Sequence, residues 1–219
     1  MAISEVHPGQ TIAPNVVLDE KTELVTSTQE IVSPVGGDDA SFLVTSPYTE
    51  REHCLDLRSV DTENALLARA LVHMKSLRPD YATAPYTETF NWSEIMGELA
   101  GLLRETGHKW KETSFYIVAF RSQIPPVDEL GELDKAAHAE AVASGGFLKY
   151  WFGTPDKDGR NLATCVWRSL HDARAGGVGP AHRKAAGAAR HLYTDWKIDR
   201  HRLTIRDELS SWEIVNWTD

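Results

Sequence analysis

Cysteine is scarce in this chain of 219 residues, which contains two, Cys54 and Cys165. Neither belongs to a CxxC pair or a Cys/His cluster, and the scattered histidines form no HxH or HExxH motif. A disulfide framework and a metal site of the usual spacing are therefore not expected. Because both cysteines lie inside apolar runs, the sequence predicts buried thiols and a reducing, cytoplasmic compartment.

Long hydrophobic runs and clusters of basic residues are also missing. No stretch approaches the ~18 consecutive apolar residues of a membrane-spanning helix, and the opening letters MAISEVHPGQTIAP predict no secretory signal. Acidic residues outnumber basic ones by 32 to 23, for a net charge of −9. This balance argues against nucleic acid or an anionic membrane as the main partner. The expected partner of this globular chain is a small molecule.

The local patterns divide the chain into an arm and one domain. Residues 1–40 are rich in Val, Thr, Ser, Glu and Pro, which is typical of an extended or flexible arm that adds an edge strand or stays mobile. Residues 41–219 form the predicted single α+β domain. Its first half, 41–111, has a β/α/α pattern, and its second half, 112–219, has a ferredoxin-like pattern.

Two short strands and two helices are predicted in the first half. FLVTS and HCLDLRS have strand character. The first helix should begin at Ser59 or Asp61 and end near Pro79, because proline disfavours α geometry in the residue before it. The second helix, NWSEIMGELAGLLRETG, has Asn or Ser as its cap and its closing glycine as the stop signal.

The second half has the most regular pattern. SFYIVAFRSQ reads as a strand, ELDKAAHAEAVASGG as a helix, FLKYWFG and RNLATCVWRS as a hairpin, and GPAHRKAAGAARHLYTDW as a helix that begins with proline. HRLTIRDE and SWEIVNW read as final strands. The order β-α-β-β-α-β predicts a ferredoxin-like sheet with helices on one face.

Strict alternation along the hairpin assigns its side chains to two faces. In the second strand one face holds Leu162, Thr164, Val166 and Arg168, and the other holds Ala163, Cys165 and Trp167. In the first strand Phe147, Lys149 and Trp151 oppose Leu148, Tyr150 and Phe152.

Two stretches carry a resemblance to known families. CVWRSLHDARAGGVGPAHRKAA resembles the second half of dimeric α+β-barrel domains, in which two ferredoxin-like units pack sheet against sheet. DYATAPYTETFNW and the hairpin FLKYWFGTPDKDGRNLATCVWRS are similar to a fungal protein family that brings no assigned activity. The barrel resemblance implies a homodimer or an internal pair of units. Its members include cofactor-free monooxygenases of polyketides in secondary metabolism, isomerases, decarboxylase-like enzymes, haem proteins and stress proteins.

His182 is the first candidate for a proton acceptor in such a site. It lies in the first turn of the last helix, where backbone N–H groups help to keep an imidazole neutral. Tyr193 falls on the same helical stripe, with small residues between them. His171 follows the end of the hairpin. The predicted catalytic residues are therefore His182, His171 and Tyr193.

Aromatic and basic side chains of the hairpin are the expected binding residues. Arg168 can bind a carboxylate or phenolate, or pair with Glu213 or Asp207 across the sheet. Tryptophan and tyrosine would serve as walls, and the aromatic loop with Glu88, Asn91 and Trp92 as a lid. The predicted binding residues are Arg168, Trp167, Trp151, Tyr150 and Trp92.

Three functional readings stay open at this stage. The first is a cofactor-free acid/base enzyme of oxygenase, isomerase, decarboxylase or cyclase type that acts on a hydrophobic or aromatic metabolite. The second is an acetyl-CoA-dependent N-acetyltransferase, because Arg174 to Gly179 matches R-x-x-G-x-G before a helix. The third is a non-catalytic, dimeric binding or stress-related protein. No metal is expected, and haem held by a single histidine is a minor alternative.

Overall fold

The computed structural model describes residues 38–123 and 129–218. The predicted arm therefore lies outside the described residues, except for residues 38–40. Helices and strands follow one another in this order: β1 (Phe42–Val44), β2 (Cys54–Asp56), α1 (Thr62–Leu71), α2 (Tyr86–Thr89), α3 (Trp92–Thr106), β3 (Thr113–Gln123), α4 (Glu129–Ser144), β4 (Phe147–Phe152), β5 (Arg160–Trp167), α5 (Leu170–Gly176), α6 (Pro180–Leu192), β6 (Asp195–Ile205) and β7 (Trp212–Asn216).

Three helix ends lie at residues that the sequence singles out, whereas α6 ends at Leu192, before the predicted TDW, because β6 already begins at Asp195. Asp61 caps α1 by accepting a hydrogen bond from the N–H of Asn64 at 3.0 Å. Gly107 ends α3 in the left-handed region, with φ of 66°, and Pro180 is the first residue of α6. Both cysteine side chains are buried, as predicted. In the described ranges, no helix has the length and apolar character that a bilayer crossing requires.

Helix α1 ends well before the predicted end near Pro79. The N–H of Lys75 instead donates to Oδ1 of Asn91 at 2.9 Å, and Ser76 pairs with Phe90 in an isolated bridge. These contacts join residues far apart in the chain and hold the segment after α1 in an extended course. Local periodicity cannot reveal them.

Five strands form one antiparallel sheet in the order β4-β5-β3-β6-β7. With β3 counted as the first strand of the unit, the first four strands have the order 2-3-1-4, which is the ferredoxin-like arrangement. Strand β7 extends the sheet beyond β6. The predicted α+β class and the ferredoxin-like unit are therefore confirmed, and β1 and β2 form a separate small ladder.

One face of the sheet packs against α1 and α3 of the first half. Their contact forms a large apolar core, with Leu67 and Ile95 from the helices and Ile117 and Leu203 from the strands all without exposed surface. In a dimeric α+β barrel this face would meet a second sheet. Here helices α1 and α3 of the N-terminal half cover it. The described residues therefore do not close a barrel.

The other face lies under α4 and α5, while α6 packs against α4. Its core is smaller and contains Tyr116, Phe147, Tyr150 and Trp167. Part of the sheet remains only half covered here, including Phe120.

The predicted alternation holds in β5 but is wrong in β4. A bulge between Phe147 and Lys149 shifts the register, so that Lys149 pairs with Val166. Leu148 then belongs to the α1/α3 face, and Tyr150 joins Phe147 under α4. Strict alternation had grouped Tyr150 with Leu148. The bulge is therefore what brings the Tyr150 hydroxyl to the face with ionisable side chains.

Candidate functional site

A carboxylate that receives two phenol hydrogen bonds forms the centre of the α4 face. Tyr48, from the β1–β2 connection, donates to Oδ2 of Asp134 at 2.6 Å, and Tyr150 of β4 donates to Oδ1 at 2.6 Å. Burial raises the pKa of Asp134 above its usual range, although the phenols and the nearby His182 and His53 act in the opposite direction. Each carboxylate oxygen is thus oriented by one tyrosine and keeps a lone pair for a further donor.

Two buried histidines face each other beside this carboxylate. The Nδ1 atoms of His53 and His138 lie 2.8 Å apart, so one of them carries the proton and the other accepts it. Burial, followed by the positive charge that His53 and His182 add when they are protonated, lowers the pKa of His138 to about 3. His138 is therefore neutral at physiological pH. In the described part of the chain, the Nε2 atoms of both rings are buried and have no hydrogen-bond partner.

The connection between β1 and β2 is fixed to α4 by three contacts. Besides the Tyr48–Asp134 and His53–His138 bonds, Lys135 forms an ion pair with Glu50. The Tyr48 ring lies 5.0 Å from the His53 ring and 5.2 Å from the His138 ring. This segment covers the ionisable groups, and the half-exposed Tyr48 lies at its surface.

An aromatic side chain borders the cluster on the sheet side. Phe152 is 36% exposed, and its ring lies 6.2 Å from the Tyr48 ring and 5.6 Å from the Tyr150 ring. Burial raises the pKa values of the Tyr48 and Tyr150 hydroxyls, and the Asp134 carboxylate adds to this effect. Both phenols therefore stay protonated and act as donors.

Of the predicted catalytic residues, His182 and Tyr193 lie near this cluster. Nδ1 of His182 is 3.2 Å from Oε2 of Glu140 on α4, and the same carboxylate accepts the N–H groups of Ala181 and His182. Tyr193 is half-buried; burial, followed by the charge of Asp134, raises the pKa of its hydroxyl. The His182 ring therefore contacts Glu140, and Asp134, not His182, lies at the centre of the cluster.

The other predicted residues at the end of the hairpin lie elsewhere. The side chain of His171 is 92% exposed. Arg168 forms two hydrogen bonds with Asp172, at 2.9 and 2.7 Å, instead of pairing with Glu213 or Asp207. Trp167 is buried in the core under α4 and α5. Nothing in this geometry brings Arg168 or His171 to the Asp134 cluster.

Trp151 and Trp92 lie on the opposite face of the sheet. Trp151 contacts Tyr81 and Phe90 in the α1/α3 core, and Trp92 is 2% exposed there. The aromatic loop that was expected to form a lid is fixed by Arg121, which donates to the carbonyl oxygens of residues 82 and 84. It covers the core face and does not approach the Asp134 cluster.

The glycine-rich stretch before α6 does not offer free amides to a pyrophosphate. The Glu140 carboxylate accepts the first N–H groups of α6, and an added Cβ on Gly179 would lie 2.2 Å from Oε2 of Glu140. A side chain on Gly176 would overlap Trp167. These glycines therefore permit close packing, and a carboxylate occupies the position where phosphate oxygens would have to bind. The geometry does not support the acetyltransferase alternative.

Asp134 and His138 are the central residues that the sequence prediction missed. They are four positions apart on α4 and so lie on one face of that helix. An aspartate and a histidine facing the core of an otherwise alanine-rich helix, ELDKAAHAEAVAS, are the signal that would have identified them. Tyr48 and His53 offered no local signal, since they meet α4 across 86 and 85 positions. In the described ranges, no three His, Cys, Asp or Glu side chains form a group able to hold a metal ion.

Comparison with known proteins identifies the family. Residues 44–216 match the family described as PB2B2.08-like. The chain belongs to this family. UPF0643 protein PB2B2.08 of Schizosaccharomyces pombe is 42% identical over 190 residues, which cover 80% of this chain and 84% of that protein. The predicted resemblance to a fungal family is thereby confirmed, and the matched region contains every residue of the Asp134 cluster.

Several solved structures align with part of the PB2B2.08-like chain. SnoaB of Streptomyces nogalater, titled a cofactor-independent oxygenase, is 19% identical with a TM-score of 0.35 and covers 44% of this chain and 98% of its own. Rv0793 of Mycobacterium tuberculosis is 16% identical with a TM-score of 0.35 and covers 40% and 92%. A putative antibiotic biosynthesis monooxygenase of Nitrosomonas europaea is 11% identical with a TM-score of 0.35 and covers 39% and 94%. These likenesses concern the fold alone.

Proposed function

We propose that the protein is an enzyme that acts on a hydrophobic or aromatic small molecule by cofactor-free acid/base chemistry, with Asp134 as the proton acceptor. The observation that carries this proposal is the Asp134 carboxylate, which is partly buried and held between two phenol donors at 2.6 Å. A carboxylate with a raised pKa is a better base near neutral pH than an exposed one. Cofactor-free oxygenation, enol-type isomerisation and aldol-type cyclisation start with such a proton removal, whereas in a decarboxylase the protonated Asp134 would instead give its proton to the carbanion left after CO2 departs.

The two tyrosines complete the proposed step. When Asp134 takes a proton from the substrate, the bond from that proton to its oxygen or carbon breaks and the electron pair stays on the substrate. The neutral carboxyl accepts hydrogen bonds less strongly than the carboxylate did, so the Tyr48 and Tyr150 hydroxyls can turn to the substrate anion. His182 and Tyr193 are proposed to orient the substrate from the α6 side.

Loss of turnover in an Asp134→Asn variant tests the proposal. Oxygen consumption and substrate loss would be followed with a panel of hydroxylated aromatic and β-dicarbonyl compounds. We expect about 10²- to 10⁴-fold slower turnover with the amide, which cannot accept the proton. Asp158→Asn, the same chemical change at an exposed position of the β4–β5 turn, is the matched control and should keep the wild-type rate. Equal rates for both variants would overturn the role of Asp134.

A non-catalytic binding protein is the second candidate. The observation in its favour is that the Tyr48, Glu50 and His53 contacts all fix the β1–β2 connection to α4, a purely structural role for the same groups. Saturable binding of a compound that the wild-type protein never converts would favour this candidate. The predicted homodimer and cytoplasmic location stay predictions. A dimer would need another surface, because α1 and α3 cover the face that dimeric barrels use.

A further inference from the structure

The tautomers of the histidine pair follow from the charge beside it. Oε1 of Glu52 lies 3.6 Å from Nε2 of His53, too far for a hydrogen bond but close enough to favour a proton on that nitrogen. A neutral His53 that is protonated at Nε2 has a lone pair at Nδ1. Nδ1 of His138 must then donate across the 2.8 Å contact, which leaves the lone pair of His138 on its own Nε2.

This Nε2 atom is a buried acceptor without a donor in the described part of the chain. His138 is 4% exposed and lies one turn of α4 after Asp134, on the same helical face. The Tyr150 ring is 5.4 Å from the His138 ring, and the Tyr150 hydroxyl binds Asp134. The unpartnered acceptor and the carboxylate therefore lie beside the same two tyrosines, Tyr48 and Tyr150. Each of them can accept a hydrogen bond from a ligand.

We propose that the site takes a neutral, hydroxyl-bearing aromatic ligand, a phenol or an enol, and that Nε2 of His138 receives its O–H while His53 holds the tautomer. His138 is thus a specificity-determining residue of the proposed reaction, His53 is a positioning residue, and Asp134 keeps the role of proton acceptor. This inference rests on the proposed function for the location of the site. It adds the chemical class of the ligand.

The negative charges around the cluster also argue against an anionic ligand. Asp134 is flanked by Glu132 on its own helix and by Glu50 on the covering segment, and both act on the pKa of the Tyr48 hydroxyl. Lys135 is paired with Glu50, and His182 with Glu140. A carboxylate or phosphate brought to this cluster would therefore meet carboxylates whose neighbouring basic side chains already have a partner.

Nitrogen NMR of the full chain tests the tautomer directly and requires no activity. Long-range ¹H–¹⁵N spectra at pH 7 should show His138 protonated at Nδ1 and unprotonated at Nε2, with His53 in the opposite state. A proton on Nε2 of His138 would overturn the proposal, because that nitrogen would then be a donor. Exposed His191 on α6 is the internal reference for a solvated ring.

Three matched probes test the ligand class: 2-naphthol, its methyl ether 2-methoxynaphthalene, and 2-naphthoate. We expect 2-naphthol to bind at least about tenfold more tightly than the ether, because the ether leaves the buried acceptor unpaired. The anion 2-naphthoate should bind more weakly than either. Equal affinity for naphthol and ether, or preference for the anion, would overturn the ligand class.

Variants at His138 test whether this residue causes the preference for 2-naphthol over its methyl ether. His138→Leu removes the acceptor and should bring the naphthol-to-ether affinity ratio close to one, whereas His138→Gln keeps an acceptor oxygen and should restore part of it. His191→Leu, on the exposed side of α6, is the control and should leave the ratio unchanged. If His138→Leu does not fold, the tautomer of the wild-type protein still decides. Turnover that depends on Asp134 without naphthol discrimination would contradict this inference and leave the proposed function in place.

Discussion

The two faces of the five-stranded sheet bury different kinds of side chain. On the α1/α3 face, leucine, isoleucine, valine and aromatic rings form one large core. On the α4 face a smaller core surrounds Asp134, two histidines and two tyrosine hydroxyls. Burial of ionisable groups lowers the free energy of unfolding unless the groups are well paired, whereas burial of apolar groups raises it. The comparison indicates that the first face supplies most of the apolar stabilisation, and it is the reason why we propose the second face as the ligand site.

The largest effect is expected from a cavity in the α1/α3 core. Ile117 lies on the central strand β3 and has no exposed surface. Ile117→Ala should lower the free energy of unfolding by about 3 kcal/mol, because it removes apolar contacts and leaves a void. Urea unfolding measures this loss. 2-Naphthol affinity below the unfolding range should stay at the wild-type value, and a matching loss of affinity would show that the two faces are not separate.

Lys149 is a buried charged side chain on the apolar face and offers a test of the opposite sign. It is 2% exposed, and among residues 38–123 and 129–218 no charged group offsets the effect of burial on the pKa of its ammonium. Burial lowers the pKa of Lys149 to about 8, so protonation at pH 7 costs folded-state stability. Lys149→Met should therefore raise the free energy of unfolding by roughly 1–3 kcal/mol at pH 7.

The pH dependence of this gain has a defined sign. The unfolded lysine titrates near its usual value and the folded one near 8, so wild-type stability rises with pH across that window. The advantage of the methionine variant should accordingly shrink between pH 7 and pH 10. A constant difference, or a variant less stable than wild type at pH 7, would show that the ammonium has a favourable partner.

The smallest effect is expected at Arg168, which the sequence suggested as a binding residue. Its guanidinium is paired with Asp172 and 40% exposed, so Arg168→Ala should cost about 0.5 kcal/mol of unfolding free energy. Binding of 2-naphthol should not change, because Arg168 lies outside the Asp134 cluster. Calorimetric titration of the variant checks this, and a several-fold loss of affinity would extend the site to the hairpin end.

Local chemistry predicted the order of elements well. Asp61, Gly107 and Pro180 mark helix ends through interactions with their own neighbours, and β5 alternates as expected. The bulge in β4 escaped prediction because the letters FLKYWF are equally compatible with a regular strand. A single shifted residue was enough to place Tyr150 on the face opposite Leu148.

Of the candidate site, the sequence analysis predicted some peripheral residues but not the central ones. His182, Tyr193 and Tyr150 were chosen from local patterns, and they lie in or beside the cluster. Asp134 and His138 stand out as site residues only through their hydrogen bonds to Tyr48 and His53, which are more than eighty positions away in the sequence. Pairings at that separation depend on how the β1–β2 connection packs on α4, and no short sequence window contains that information.

Chemical-shift mapping of 2-naphthol on the full chain is the most direct test of the account. Titration should perturb the resonances of Tyr48, Asp134, His138 and Tyr150, and leave those of Ile117 and Leu203 on the opposite face unchanged. This result would establish that the ionisable face is the ligand site. Perturbations confined to the α1/α3 face, or no perturbation of the four cluster residues at saturating naphthol, would contradict the account.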